Sequence, residues 1–235
     1  MKILVWFLLP LFVFAKVHYA KVEPYESVVL KSAVSGLVLE ADLEAEGTLV
    51  EDKRVIHLDD HLDKINLKVS QETLLILQET LKRKASSFKR IDKLKTASRT
   101  QKDNAFFSFS SAKTQVLDMQ LKIAQLEDSI EKKSIILRNK YLYKIMVRKG
   151  DYVNPGTPLA EVQDVSRAKL VLFLEPEELK GVKTKTVYID GKKTAYKVNK
   201  VWNVADEKFI SSYRAEIYLP APKEQFSKLL KVELK

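Results

Sequence analysis

The sequence contains no cysteine. That excludes disulfides, cysteine-based metal sites, a thiol nucleophile and a lipidated cysteine behind a leader. Glycine and proline are scarce, at six and seven in 235 residues, and none lies between Thr48 and Lys149. A run that long without helix breakers is expected of long helices and little else. After Met1 the only methionines are Met119 and Met146, too far apart to suggest a copper or silver site. There is no G-x-S-x-G turn, no phosphate-cradling glycine loop and no H-E-x-x-H. No catalytic constellation is left, so the chain reads as non-enzymatic, with no cofactor and no metal. Long apolar runs are missing too. The longest uncharged stretch, Ile3 to Ala15, is thirteen residues, short of the ~20 needed to cross a bilayer.

What is present is a strong helical period. Phe109, Ala112, Val116, Met119, Ile123, Leu126, Ile130, Lys133 and Leu137 alternate at spacings of three and four. All but Lys133 are apolar, which makes an a/d heptad seam. Leu67, Leu74, Leu81 and Phe88 recur every seven, with Leu77 and Ile91 at the other seam position. The polar stretch Lys95 to Asn104 separates the two runs. Two facing seams and a polar link predict an antiparallel coiled-coil hairpin over 58–138. An arm of ~35–40 residues at ~1.5 Å each is roughly 55 Å long and must project from its body.

The thirteen uncharged residues between Lys2 and Lys16 fit a secretory signal, 1–20, cleaved after Ala15 or Ala20. The competing reading is a short uncleaved anchor. Either one places the body outside the cytoplasm. The formal charge of +10 points to an anionic partner or surface without choosing one.

Both flanks of the helical run read as short strands bent at glycines. The first carries Ser32-Ala33-Val34-Ser35-Gly36-Leu37-Val38. The second carries Val147-Arg148-Lys149-Gly150-Asp151-Tyr152-Val153-Asn154-Pro155-Gly156-Thr157-Pro158-Leu159. These two halves around a hairpin resemble the split lipoyl domain of periplasmic adaptor proteins, the membrane fusion proteins of the HlyD and efflux-adaptor kind. The resemblance implies an α+β fold: a lipoyl-like domain over 25–57 and 139–165, interrupted by the hairpin and followed by a small antiparallel β-barrel over 166–235. Gly36, Gly150 and Gly156 are the expected structural glycines, the last two at tight turns and Gly36 where backbones approach closely. The lysine-bearing turn of a lipoyl or biotin carrier is missing, because the hairpin is inserted there.

The resemblance extends to the tip. Adaptors that dock on a TolC-type outer-membrane channel are similar in having an Arg, a Leu four residues on and a Ser seven beyond. Arg90 and Leu94 match, while Gln101 stands in place of Ser and Thr100 where Ile is usual. The implied channel-binding residues are therefore Arg90, Leu94 and Gln101. From helical spacing alone, Arg90 and Leu94 share a face, which suits groove docking. The bland reading makes Leu94 a seam residue and Arg90 a solvated charge.

From Lys82 to Lys102 there are nine Lys or Arg against Asp92 alone. An exported chain meets no genome, so nucleic acid is not an expected partner. An acidic partner or a merely solvated face remain. His57 and His61, near Asp59, Asp60 and Asp63, would share a helix face and suggest zinc. Acidic residues at a helix start are favoured by its dipole in any case, and the polar helix start is preferred.

The resemblance implies an adaptor of a tripartite efflux system. Its partners would be an outer-membrane channel and an inner-membrane transporter, of the resistance-nodulation-division class rather than ABC. Adaptor copies would close into a ring, a hexamer or trimer of dimers. The place would be the periplasm, held to the inner membrane through the transporter. The fourth, membrane-proximal domain of such adaptors is not expected here. The alternative is an exported coiled-coil protein that binds an acidic envelope polymer through its basic arm.

Overall fold

The structure is a computed structural model that describes residues 16–222 and 226–235. Most of the proposed leader, residues 1–15, lies outside them. The chain divides into two units. Unit 1 holds residues up to Val28 and Gln163–Lys235, and unit 2 holds Val29–Val162. Helices and antiparallel strands are mixed.

In unit 2 the strands are the end of β1 (Val17–Lys31), β2 (Gly36–Ala41), β3 (Thr48–Leu58), β4 (Ser134–Ile145), β5 (Tyr152–Val153) and the start of β6 (Pro158–Leu174). β2 pairs with β3 and with β5, and β3 with β4 along Thr48–His57 against Ser134–Leu142. Val38, Ile56, Leu58, Leu142, Ile145 and Leu159 fill the core, each at most 1% exposed. The two flanks of the helical run therefore share one core. Their turns interlock as well. The Gly150 N–H donates to the Val38 carbonyl, and the Gly156 N–H to the Ser32 carbonyl. Gly150 and Gly156 hold φ of +97° and +91°, cheap for glycine only. A Cβ on Gly36 would stand 3.3 Å from Leu58 Cβ, so this spot is a close approach.

Between β3 and β4 run α1 (His61–Lys93) and α2 (Arg99–Lys132). Asp63 near the start of α1 meets Lys133 past the end of α2, and Phe88 meets Phe106 and Phe109, so the helices are antiparallel. At 33 and 34 residues they are about 50 Å long. Seam residues Ala112 and Val116 are buried, and so is Ser70, at the heptad position between Leu67 and Leu74. Small side chains there let the helix backbones come close.

Two details differ from the expectation. The hairpin is shorter than 58–138. Leu58 closes β3, and Leu137 is a β4 residue opposite Lys53, 4% exposed in the core. The apolar spacing simply continued into a strand whose Ile135-Ile136 pair suits a sheet. The polar link is shorter as well, because α2 starts at Arg99. Ser98 and Gln101 form a capping box: Ser98 Oγ accepts the Gln101 N–H at 3.2 Å, and Gln101 Oε1 accepts the Ser98 N–H at 2.9 Å.

In unit 1, β1 pairs with β11 (Leu229–Leu234) from Val17↔Glu233 to Lys21↔Leu229. β11 also pairs with β7 (Val187–Ile189), and β7 with β8 (Lys192–Lys193). The later part of β6 pairs with β10 (Tyr213–Pro220), which pairs with β9 (Val198–Val201). The core contains Ala20, Leu170, Leu172, Leu174, Ala215, Ile217 and Val232. Ala20 is 1% exposed and β1 begins at Val17. The second candidate cleavage point, after Ala20, thus falls inside a paired strand.

Candidate functional site

The candidate site is the free end of the arm. α1 ends at Lys93, and Leu94 has extended backbone, with φ −74° and ψ 119°. The Leu94 N–H still reaches the Ile91 carbonyl, and the Ala97 N–H the Leu94 carbonyl. The capping box then starts α2. This tight reversal leaves a cleft of about 600 Å³ lined by Lys84, Ser87, Ile91, Leu94, Gln101 and neighbouring small residues. Leu94 is 48% exposed.

At the level of the cleft the helices are fastened by rings. Phe88 and Phe109 stack at 5.6 Å and 7°, and Phe106 tilts against Phe88 at 5.7 Å. Rigid aromatic packing of this kind fixes the register of two helices.

The charge at this end is mostly unpaired. Arg83 pairs with Glu79, Arg99 reaches Asp103 at 4.0 Å, and Lys102 donates to the Asp92 carbonyl. Lys82, Lys84, Lys89, Arg90, Lys93 and Lys95 have no carboxylate within 4.0 Å among the described residues. Six free cations at the end of the arm attract an acidic surface over a Debye length, ~8–10 Å.

Arg90, Leu94 and Gln101 all lie at this end. Leu94 and Gln101 line the cleft, whereas Arg90, in the last turn of α1, does not. Leu94 lies past the helix, so helical spacing no longer aligns it with Arg90. Gln101 is half committed to its capping box. Gly36, Gly150 and Gly156 sit in the β part of unit 2 and are not part of the tip.

The root of the arm ties Lys133, the one polar residue of the seam from Phe109 to Leu137, to the acidic start of α1. Lys133 is 13% exposed in its side chain. Its Nζ lies 2.6 Å from the Asp63 carboxylate and 2.7 Å from the Asp59 carbonyl. Ser129 Oγ stands 3.5 Å from the same Asp63. His57 is on β3 and not on a helix. Its Nδ1 lies 3.2 Å from Ser134 Oγ and its Nε2 3.7 Å from Asp60. Burial pushes the Asp60 carboxyl up, but the Lys64 hydrogen bond and the His57 ring outweigh it and bring it below the ordinary value. His61 opens α1, its N–H bonded to the Asp59 carboxylate. Among the described residues no three His, Asp or Glu side chains are grouped to hold a metal ion. Within the same limits, no helix is long and apolar enough to cross a membrane.

No protein-family model matches the chain, and no curated protein matches its sequence. Solved structures do match its fold. A MacA–MexA chimera carrying the Pseudomonas aeruginosa MexA α-hairpin domain superposes with a TM-score of 0.71 at 17% identity, over 94% of this chain and 78% of the other. A membrane fusion protein from Streptococcus pneumoniae R6 gives 0.70 at 8% identity, over 94% and 99%. MacA from Actinobacillus actinomycetemcomitans gives 0.61 at 15%, over 94% and 78%. At such identities the likeness is one of fold.

Proposed function

We propose that this chain, which has the fold of membrane fusion proteins, is a periplasmic adaptor of a tripartite efflux system. The observation that carries the reading is the inserted hairpin, whose exposed end bears a cleft of mixed polar and apolar lining with the exposed Leu94 at its lip and unpaired cations nearby. In this reading residues 25–57 and 139–165 are a lipoyl-like domain and 166–235 a β-barrel. Residues 1–15 are a cleaved leader. The work is architectural and not catalytic. The arm end meets an outer-membrane channel of the TolC type through Leu94, Gln101 and Arg90. The other end serves an inner-membrane transporter, of the resistance-nodulation-division class rather than ABC. A single hairpin encloses nothing, so copies must close a ring through heterologous contacts, a hexamer or trimer of dimers.

The six free cations also suit a second reading, an exported protein that binds an acidic envelope polymer. Purification from the native envelope at low and at high salt separates the two. Exposed charge contacts are screened by salt, while a docked tip that buries the exposed Leu94 holds. The adaptor reading expects a channel and a transporter to remain bound in high salt. Complete release of all partners in high salt, with only polysaccharide recovered, sinks it.

A further inference from the structure

One end of unit 1 brings together an exposed apolar loop and a set of cations. β6 and β10 are antiparallel, with Leu174 opposite Tyr213. The connection from β9 to β10, residues 202–212, therefore hangs at the Leu174 end. Lys16, at the head of β1, pairs with Glu175 immediately beyond that strand, and His18 Nε2 lies 2.8 Å from Glu178.

The loop presents apolar side chains outward. Ile210 is 84% exposed, Val204 77% and Phe209 45%. The loop is nonetheless built. The Asp206 carboxylate accepts the N–H groups of Lys208 and Phe209 at 2.9 and 3.1 Å, and the Asp206 N–H donates to the Ser212 carbonyl. The Phe209 ring packs on Phe173 at 4.3 Å. Asp206 is thereby spent internally, and Glu207 is the one carboxylate of the loop left outward. Beside it Lys200 lies 4.2 Å and Arg214 4.9 Å from the Trp202 ring, and Lys208 5.9 Å from that of Phe209. Arg214 also pairs with the buried Glu216 at 2.8 Å, so Lys200 and Lys208 are the cations free for a partner.

Aliphatic tips, an indole and flanking ammonium groups are the composition of a membrane interface. Aliphatic groups enter the acyl boundary, the indole stays at headgroup level, and cations meet phosphate. We propose that this end of unit 1 is a bilayer-contact site. Val204, Phe209 and Ile210 dip into an anionic membrane surface, and Lys200 and Lys208 bind its headgroups. Exposed aliphatic tips on one loop, beside an indole and two unpaired ammonium groups, favour an anionic lipid surface over a protein partner. The site goes beyond the adaptor reading and stands whether or not the arm meets a channel.

The chain has two tryptophans, Trp6 and Trp202, and the leader carries the first away, so Trp202 is the only indole of the exported protein. The exported protein is mixed with phosphatidylglycerol–phosphatidylethanolamine vesicles carrying brominated acyl chains. Trp202 emission is expected to be quenched as the protein sediments with the vesicles. Neutral phosphatidylcholine vesicles are expected to bind about tenfold more weakly. Val204→Ser with Ile210→Ser, which leaves the Phe209–Phe173 contact in place, is expected to weaken the quenching titration about tenfold. Lys68→Ser with Lys122→Ser, on the shaft of the arm away from its end, is expected to leave it unchanged. The proposal is overturned if the protein stays in solution, or if it sediments with Trp202 unquenched, because another part of the chain then does the binding. Wild-type quenching by the Val204/Ile210 variant, or equal quenching by neutral vesicles, overturns it too.

Discussion

Lys133 is where the account of the arm is most exposed to test. Its ammonium clasps the Asp63 carboxylate and the Asp59 carbonyl at the root of α1, from just beyond α2. Replacing it with Met keeps much of the stem volume and removes the charge. The side chains of the pair are 13% and 23% exposed, so the pair is neither surface nor core. Surface pairs are worth about 0–1 kcal/mol, and stranding one partner of a fully buried pair costs about 3–5 kcal/mol. Lys133→Met should therefore cost about 2 kcal/mol. The loss includes the hydrogen bond to the Asp59 carbonyl, which stands in an exposed turn where water can take the donor's place. Asp63→Leu combined with Lys133→Met should recover part of it, because no charge is then stranded. Urea unfolding followed by far-UV circular dichroism measures all three proteins, with near-equal slopes required for the comparison. A cost of Lys133→Met below about 0.5 kcal/mol would show that the clasp is an ordinary surface pair. A double variant as unstable as the sum of the singles would show that the two residues act independently.

The exported protein should begin at Lys16, since processing after Ala20 would delete four β1 residues paired with β11; N-terminal sequencing of the envelope protein reads this directly. Asp60→Asn should destabilise the protein by about 1 kcal/mol at pH 7 through loss of the Lys64 and helix-dipole interactions. The Asp60 pKa is depressed by folding, so its contribution is complete above the ordinary value of 3.8 and fades as pH falls through the lower folded value. Wild type and variant should thus converge toward acid, and a gap constant with pH down to acid unfolding would refute that origin. Ser98→Ala removes half of the capping box and should cost about 1 kcal/mol. Hydrogen exchange should show it as faster exchange at the Gln101 amide, with none at the arm root.

The arm was readable because its signal is local. Absence of glycine and proline and a three–four seam need no knowledge of distant chain. The Ser98–Gln101 spacing is likewise a capping signature written in four residues, and it shows that the polar link is only Leu94–Ser98. What was not readable depends on partners far away in sequence. Leu137 keeps the heptad spacing, and only the pairing of β4 with β3 makes it a strand residue. β1 before Val28 looks like a leader's tail until Val17 is set against Glu233 at the other end of the chain. Lys133 reads as a flaw in the seam until Asp59 and Asp63, some seventy residues earlier, are brought beside it. Arg90 and Leu94 are one turn apart in sequence, but the helix stops between them.

The central claim is that the end of the arm touches an outer-membrane channel. Leu94→Cys would give a chain without cysteine a single thiol at the exposed lip of the cleft. That protein is expressed in its native envelope, coupled to a short thiol-reactive photocrosslinker and illuminated, and the attached molecule is identified by mass spectrometry. The account expects an outer-membrane channel protein. Crosslinks confined to polysaccharide, or none at all from a folded and exported protein, would contradict it and leave the basic arm as a polymer-binding device.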